Sequence, residues 1–248
     1  MYEPRTYRVS MGNRRFQTFA ITHRETDLWI AVDRSVDIFA IEKCALSYIK
    51  SLRQTLETYI KQNPAFATTL DPIEVATTAP AVVTQMAAAA NIAGTGPMAA
   101  VAGAFAQLTG KYLETEFALN ELIIENGGDI YLNIKEKILI SVYAGKSSLS
   151  EKLGIWVTPT YSPLGVCTSS GTVGHSFSRG RADAVTIACS NTMLADAFAT
   201  AFGNRVQSSA DIDSIINETS KYEEILSAII ICNDKIGIRS DFEIKLLK

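Results

Sequence analysis

From Val75 to Gly110 the chain carries no charged side chain. Such a stretch has two physical outlets, a bilayer or the interior of a large fold. Its makeup decides between them. Ala, Thr and Gly dominate, Gln85 and Asn91 interrupt it, and Gly94-Thr95-Gly96-Pro97 breaks it with a turn. Alanine is only weakly lipophilic, and Pro97 suits the first position of a new helix. The stretch is therefore read as two Ala-rich helices, Pro80 to Asn91 and Pro97 towards Gly110, buried against other elements rather than spanning a membrane. Ala99, Ala100, Gly103 and Ala104 then permit close backbone approach.

The remaining pattern supplies what those helices pack on. FQTFAI and LWIAV read as strands with a polar turn at His23–Asp27, and TYRV before them has the same alternation. Ile38, Ile41, Ala45, Ile49, Leu52, Leu56 and Tyr59 recur at three and four, which predicts a long amphipathic helix over 36–62. Ser35 is placed to cap it, and Pro64 to end it. Strands are expected at 121–124, 129–134, 138–144, 154–159 and over AVTIACS, and another pair near the C-terminus. Asn126-Gly127-Gly128 has hairpin chemistry, although Glu125 and Asp129 flank the glycines and could equally hold a metal or a ligand hydroxyl. The expected fold is α+β: one domain over 1–248, with mostly antiparallel sheets packed by one long helix and the Ala/Gly-rich helices.

Composition excludes some functions. A net charge of −3 with no basic cluster gives no footprint for nucleic acid. The charged N-terminal stretch lacks a secretory apolar run, and Cys44, Cys167, Cys189 and Cys232 form no Cys-x-x-Cys pair. A cytoplasmic setting with reduced thiols is expected.

The chemistry is concentrated in GVCTSSGTVGHSFSRGRAD, residues 165–183, read as a loop unable to pack a core. Thr168, Ser169, Ser170, Gly171 and Thr172 offer N–H and hydroxyl groups to an anion. Arg179 and Arg181 can clamp phosphate or carboxylate, unless Asp183 pairs one of them. Cys167 and His175 are candidate catalytic groups, a thiolate–imidazole pair if the loop brings them together; the alternative is an ordinary half-buried thiol and a loop histidine. Gly94 and Gly96 precede a helix N-terminus, without the lysine of a P-loop. On TMLADAFATAF, capped by Asn191, Thr192, Asp196 and Thr200 make a polar stripe, so a buried Asp196 requires a partner or a cation.

These segments carry a resemblance. PAVVTQMAAAANIAGTGPMAAVAGAFA, IIENGGDIYL, GVCTSSGTVGHSFSRGRADAVTI and ADAFATAFGN together resemble the protein family UPF0280, a branch of the ApbE-like superfamily. That superfamily includes transferases that take FMN from FAD with magnesium. The resemblance implies that Asp196 and Thr200 match its metal-holding Asp-x-x-x-Thr helix, and that Gly127-Gly128-Asp129-Ile130 matches its GG-(D/N)-I turn. Ser170-Gly171 and His175 echo its Ser-Gly before a histidine. The chain lacks the transferases' His-x-x-Asp-Pro-x-Thr-Gly segment, and Ala-Val-Ala-Gly-Ala stands where their Lys-Gly is found. Fold and a magnesium-capable pocket are thus implied, with FAD, FMN or another phosphorylated small molecule as ligand. Relatives of this kind are also associated with sulfur assimilation and homocysteine formation in methane-producing archaea. That association implies Cys167 as a sulfur carrier, with partner proteins of that process or a homodimer. A non-catalytic binding or assembly role on the same fold is the third reading.

Overall fold

The computed structural model describes residues 15–34, 36–173 and 179–247. Two strands open it, β1 (Phe16–His23) and β2 (Thr26–Asp33), followed by the helix α1 (Ile38–Gln62). Asp37 caps α1 by accepting from the N–H groups of Phe39 and Ala40, and the chain leaves the helix at Asn63, before Pro64. Ser35 and the TYRV segment lie outside the described residues. A short α2 (Ala65–Thr68) leads to α3 (Ala81–Ala93), which ends on Gly94 in the left-handed region at φ 71°. Pro97–Ala100 form a 3-10 turn that runs into α4 (Val101–Glu116), so the charge-free stretch gives two helices, the second running on past Gly110. No helix among the described residues is long and apolar enough to cross a membrane.

The strands β3 (Leu122–Asn126), β4 (Asp129–Asn133), β5 (Ile138–Ser141), β6 (Leu153–Val157), β7 (Leu164–Ser169) and β8 (Ala184–Cys189) follow. Then come α5 (Thr192–Gly203), α6 (Ile212–Thr219), β9 (Ile225–Cys232), β10 (Lys235–Ser240) and β11 (Glu243–Leu246). Eight strands form one sheet in the order β1-β2-β3-β4-β7-β8-β9-β10, every neighbour antiparallel. The excursion β5–β6 pairs with β11 in a second, three-stranded sheet. The C-terminal IGIRSDFEIKLL, in the region where a strand pair was expected, breaks at Asp241-Phe242, and its two halves join different sheets.

Both faces of the large sheet are covered, which is why its central strands read as apolar runs without alternation. Leu28, Ile30, Ile124, Ile187 and Ile230 face the helices, while Ala31, Ile123, Leu132, Val166 and Ile231 face the small sheet. The molecule is thus three-layered: helices, large sheet, small sheet. The α+β class and its antiparallel character stand as expected.

One element departs from the sequence reading. Gly165–Ser169 are not loop but the body of β7, a central strand between β4 and β8. Val166 points to one core and Cys167 to the other, both with essentially no exposure. Their small neighbours fit because α5 rides directly on β7. A Cβ on Gly165 would land on the Cα of Thr192, and one on Gly103 would stand 2.5 Å from the Thr192 carbonyl oxygen. Gly165→Ala should therefore cost about 1–3 kcal/mol through forced displacement of α5, read as a fall in the urea midpoint. An unchanged midpoint would show that α5 is not seated on β7 as described.

Candidate functional site

The side chains that could do chemistry meet where the start of α4, the first turns of α5, and the strands β4 and β7 come together. Each is delivered by ordinary local structure. The β3–β4 hairpin turns through Gly127 (φ 70°) and Gly128 (φ 104°), both left-handed, as the two-residue turn requires. Glu125, fully buried, closes that turn by accepting the Gly128 N–H at 2.7 Å. Asn126 reaches out of the hairpin to donate to the Ala102 carbonyl at 3.1 Å, tying the turn to α4. Asp129 then begins β4. It stands one step beyond the paired Ile130 and Val166, opposite Cys167 on β7.

Asp196 projects from α5 into the same place, and the polar stripe of that helix faces inward: Thr192 is fully buried, Asp196 is 8% exposed and Thr200 half-buried. The carboxylate finds its partner in backbone. One oxygen accepts the Gly103 N–H at 2.8 Å, and the Ala102 N–H adds to it. These are among the first N–H groups of α4, which no intrahelical carbonyl reaches, and the helix dipole favours a negative charge there. Burial nevertheless dominates and raises the Asp196 carboxyl to about 7. Asp129 is also pushed up, first by burial and then by the charge of Asp196, with the Cys167 thiol and the Thr168 N–H acting the other way.

Cys167 lies between these groups. Its Sγ donates to the Thr192 carbonyl oxygen at 3.4 Å, and the residue is completely buried. Burial, followed by the charges of Asp129 and Asp196, holds the thiol well above its ordinary range. This is the opposite of the electropositive, accessible setting that makes a thiolate. His175, its expected partner, lies outside the described residues. The four cysteines are free.

The other expected ligand residues divide by position. Gly94 caps α3, and a Cβ on Gly96 would collide with the Thr69 carbonyl, so both are accounted for by backbone geometry. Thr168 shares a hydroxyl contact with Thr186 at 2.9 Å. Ser170 accepts from the N–H groups of Thr172 and Val173 in a tight turn, and the Gly171 N–H bonds the Ala182 carbonyl. Ser169 sits beside Gly203 of α5. Asp183 accepts from Thr172 Oγ1 at 3.0 Å and the Asn233 N–H at 2.7 Å. Arg179 and Arg181 are exposed and anchored through backbone N–H groups, to Asn204 Oδ1 and the Val206 carbonyl.

Two contributors escape a sequence reading. Gln107 of α4 accepts the Thr192 N–H at 2.7 Å and so fixes the start of α5; in the sequence it is one of three amides in the charge-free run, with Gln85 and Asn91, and nothing sets it apart. Asn126, taken as turn chemistry, is the tie between hairpin and helix. Among the described residues no group of three or more His, Cys, Asp or Glu side chains forms a closed metal cage. A separate groove of about 630 Å³, lined by Thr58, Tyr59, Asn63, Glu74 and Thr78 among others, shares no residue with this cluster.

Set beside known proteins, this architecture has clear relatives. A family model described as AbpE bacteria matches residues 8–233. A UPF0280 protein of Methanocaldococcus jannaschii is 39% identical over 221 residues, covering 87% of each chain. A UPF0280 protein of Methanothermobacter thermautotrophicus is 43% identical over 177 residues, 71% of this chain and 68% of its own. The chain belongs to UPF0280, an ApbE-like family. Among solved structures, the apo flavinyl transferase ApbE of Pseudomonas stutzeri superposes with a TM-score of 0.60 at 13% identity, over 91% of this chain and 94% of its own. The ApbE protein of Thermotoga maritima gives 0.58 at 14%, over 91% and 97%. At that identity the likeness is one of fold.

Two measurements check the electrostatics. Because the folded Asp196 holds its proton to about pH 7 while the unfolded chain releases it near 4, the folded state binds more protons in that window. Stability therefore falls as pH rises through it, by on the order of 4 kcal/mol from this group. Asp196→Asn should gain on the wild type as pH climbs from 5 to 8 in paired thermal melts; a constant gap would contradict the raised carboxyl. With iodoacetamide on native protein, half-buried Cys44 should be labelled first and Cys167 only on unfolding. Equal labelling of the two would refute the closed thiol.

Proposed function

We propose that the chain binds a phosphorylated, nucleotide-like small molecule of the flavin class together with a divalent cation, at the junction of α4, α5 and the β4–β7 edge. The observation that carries this reading is the pair of buried carboxylates, Asp129 and Asp196, with the charge of Asp196 opposing the ionisation of Asp129. Two like charges out of water are costly unless something positive compensates them. A cation between them would let both ionise.

The donor chemistry fits a hard cation. Asp196 has one carboxylate oxygen committed to the Gly103 N–H, Asp129 adds a second carboxylate, and Thr200 supplies a hydroxyl one turn further along α5. Thr192, one turn before Asp196, is fully buried with an Oγ1 that meets no partner. Magnesium is held in general by one or two carboxylates, with water and substrate phosphate completing its octahedron, so an incomplete protein cage suits it. The cation would supply charge compensation for a phosphate. The chain's own residues would orient the ligand: Thr168 to Thr172 with N–H and hydroxyl groups, Arg179 and Arg181 with guanidinium charge. The names of the structural neighbours from Pseudomonas stutzeri and Vibrio cholerae, flavinyl or flavin transferases, support a flavin as the first ligand to try. Whether transfer follows binding depends on groups that this chain does not share with the transferases of the resemblance.

A sulfur-carrier role for Cys167 has no support in the geometry, since the thiol is closed to solvent and held protonated. The decisive experiment is a thermal-shift titration with FAD, FMN and ADP, each with and without magnesium. A ligand that binds only the folded state raises the melting temperature with its occupancy. The reading requires a magnesium-dependent rise with FAD or FMN that is lost in Asp196→Ala. No rise with any of the three would refute it.

A further inference from the structure

We propose that the outer edge of β10 is where a second copy of this chain docks, the two β10 strands pairing antiparallel about a two-fold axis at Ile238 and joining two eight-stranded sheets into one. The strand carries none of the residues assigned to ligand or cation above, and its pairing does not depend on them.

β10 ends the large sheet: β9 pairs one side of it, and no strand among the described residues pairs the other. The Asp241 N–H, next in the chain, donates to the Leu226 carbonyl on the β9 side at 2.9 Å. Alternation along an antiparallel strand then turns the N–H and C=O groups of Ile236, Ile238 and Ser240 outward. The two faces of the strand differ. Gly237 lies under α6, where a Cβ would stand 2.3 Å from Ile212 Cγ2, so the helix side is closed. On the other side Ile236 and Ile238 stand opposite Ile231 and Ile229, which are buried beneath the small sheet. They are themselves 38% and 39% exposed and join neither core. An edge that combines unpaired backbone with uncovered isoleucines is a template for another strand.

The residues along the edge favour a copy of itself. With the axis at Ile238, that residue meets its own copy and Ile236 meets the partner's Ser240, so all three outward residues fall in hydrogen-bonded pairs. Lys235 then faces the partner's Asp241, both exposed, and the symmetry repeats the pair. Arg239 faces the partner's Gly237, which has no side chain to obstruct it, and is held in its own protomer by the Ile225 carbonyl at 3.0 Å. Moving the axis to Gly237 would set Lys235 against Arg239, and moving it to Arg239 would set that arginine against itself. Like charges directly opposite are destabilising. A lysine on a sheet edge ordinarily discourages pairing; the Ile238 register gives it a carboxylate.

Sedimentation velocity on the full chain over a concentration series reads the assembly. The expectation is a reversible shift from the 26.9 kDa of one chain to twice that mass as concentration rises. Ile238→Lys places two ammonium groups at the axis and should weaken the dimer by about tenfold or more. Its far-UV circular dichroism should not change, because the side chain is exposed. Lys235→Glu should weaken the dimer by about fivefold, and adding Asp241→Lys to it should restore the affinity. A chain that stays at 26.9 kDa throughout leaves the edge to a strand of another protein and overturns the proposal. A dimer indifferent to either single substitution, or one that the charge swap does not restore, overturns it too. So does a dimer tightened by Lys235→Glu, the result expected if Lys235 faces Arg239.

Discussion

Asp196 sits on the opening N–H groups of α4, and that contact organises much of what surrounds it. A helix beginning in the interior has donors that cannot reach water, and a carboxylate in the interior has charge that cannot reach water. Each answers the other's deficit. The arrangement fixes α5 against α4 at one point, and the glycine at 103 lets the backbones close to the distance that the hydrogen bond needs. Gln107 repeats the device one turn along α4, accepting the N–H of Thr192 where α5 begins. Two polar contacts of this kind give two apolar, Ala-rich helices a single registration that hydrophobic packing alone would leave loose.

The same contact explains why the carboxylate is not simply quenched. Two backbone donors and a helix dipole stabilise charge, yet burial opposes it, and the balance falls near neutrality. A group in that position responds to whatever arrives. A proton or a cation changes its charge for little free energy, whereas a fully paired salt bridge such as Arg205–Glu218 at the surface would not respond.

Much of the framework could be read from the sequence because it depends on local rules. The spacing from Ile38 to Tyr59 specified α1, the Asn-Gly-Gly run specified a hairpin, and the uncharged stretch specified buried helices. β7 was hidden because its composition is set by its neighbour: Gly165 and Cys167 are small where α5 presses down, and small polar residues look like loop. The site was legible in its members more than in its wiring. Asp196 needed a partner, and the sequence offered a cation as the candidate. The partner actually present is backbone, which every residue carries and no letter announces. Cys167 and His175 stood as a candidate pair if the loop brought them together; the complete burial of the thiol, which follows only from the third dimension, was not legible.

The small sheet carries a consequence for how the chain is assembled. β5 and β6 leave the main meander early, but the strand that completes their sheet, β11, is the last of the described strands. Pairing β6 with β11 spans most of the second half of the chain, a long-range contact of the kind that slows folding. During synthesis, the face bearing Ile123, Leu132 and Val166 is only partly roofed until Glu243–Leu246 emerges to dock on Leu153–Trp156. The nascent molecule thus keeps one layer open after its helical layer has sequences enough to close. That interval is when a chaperone, or another nascent copy, has an apolar sheet face to hold.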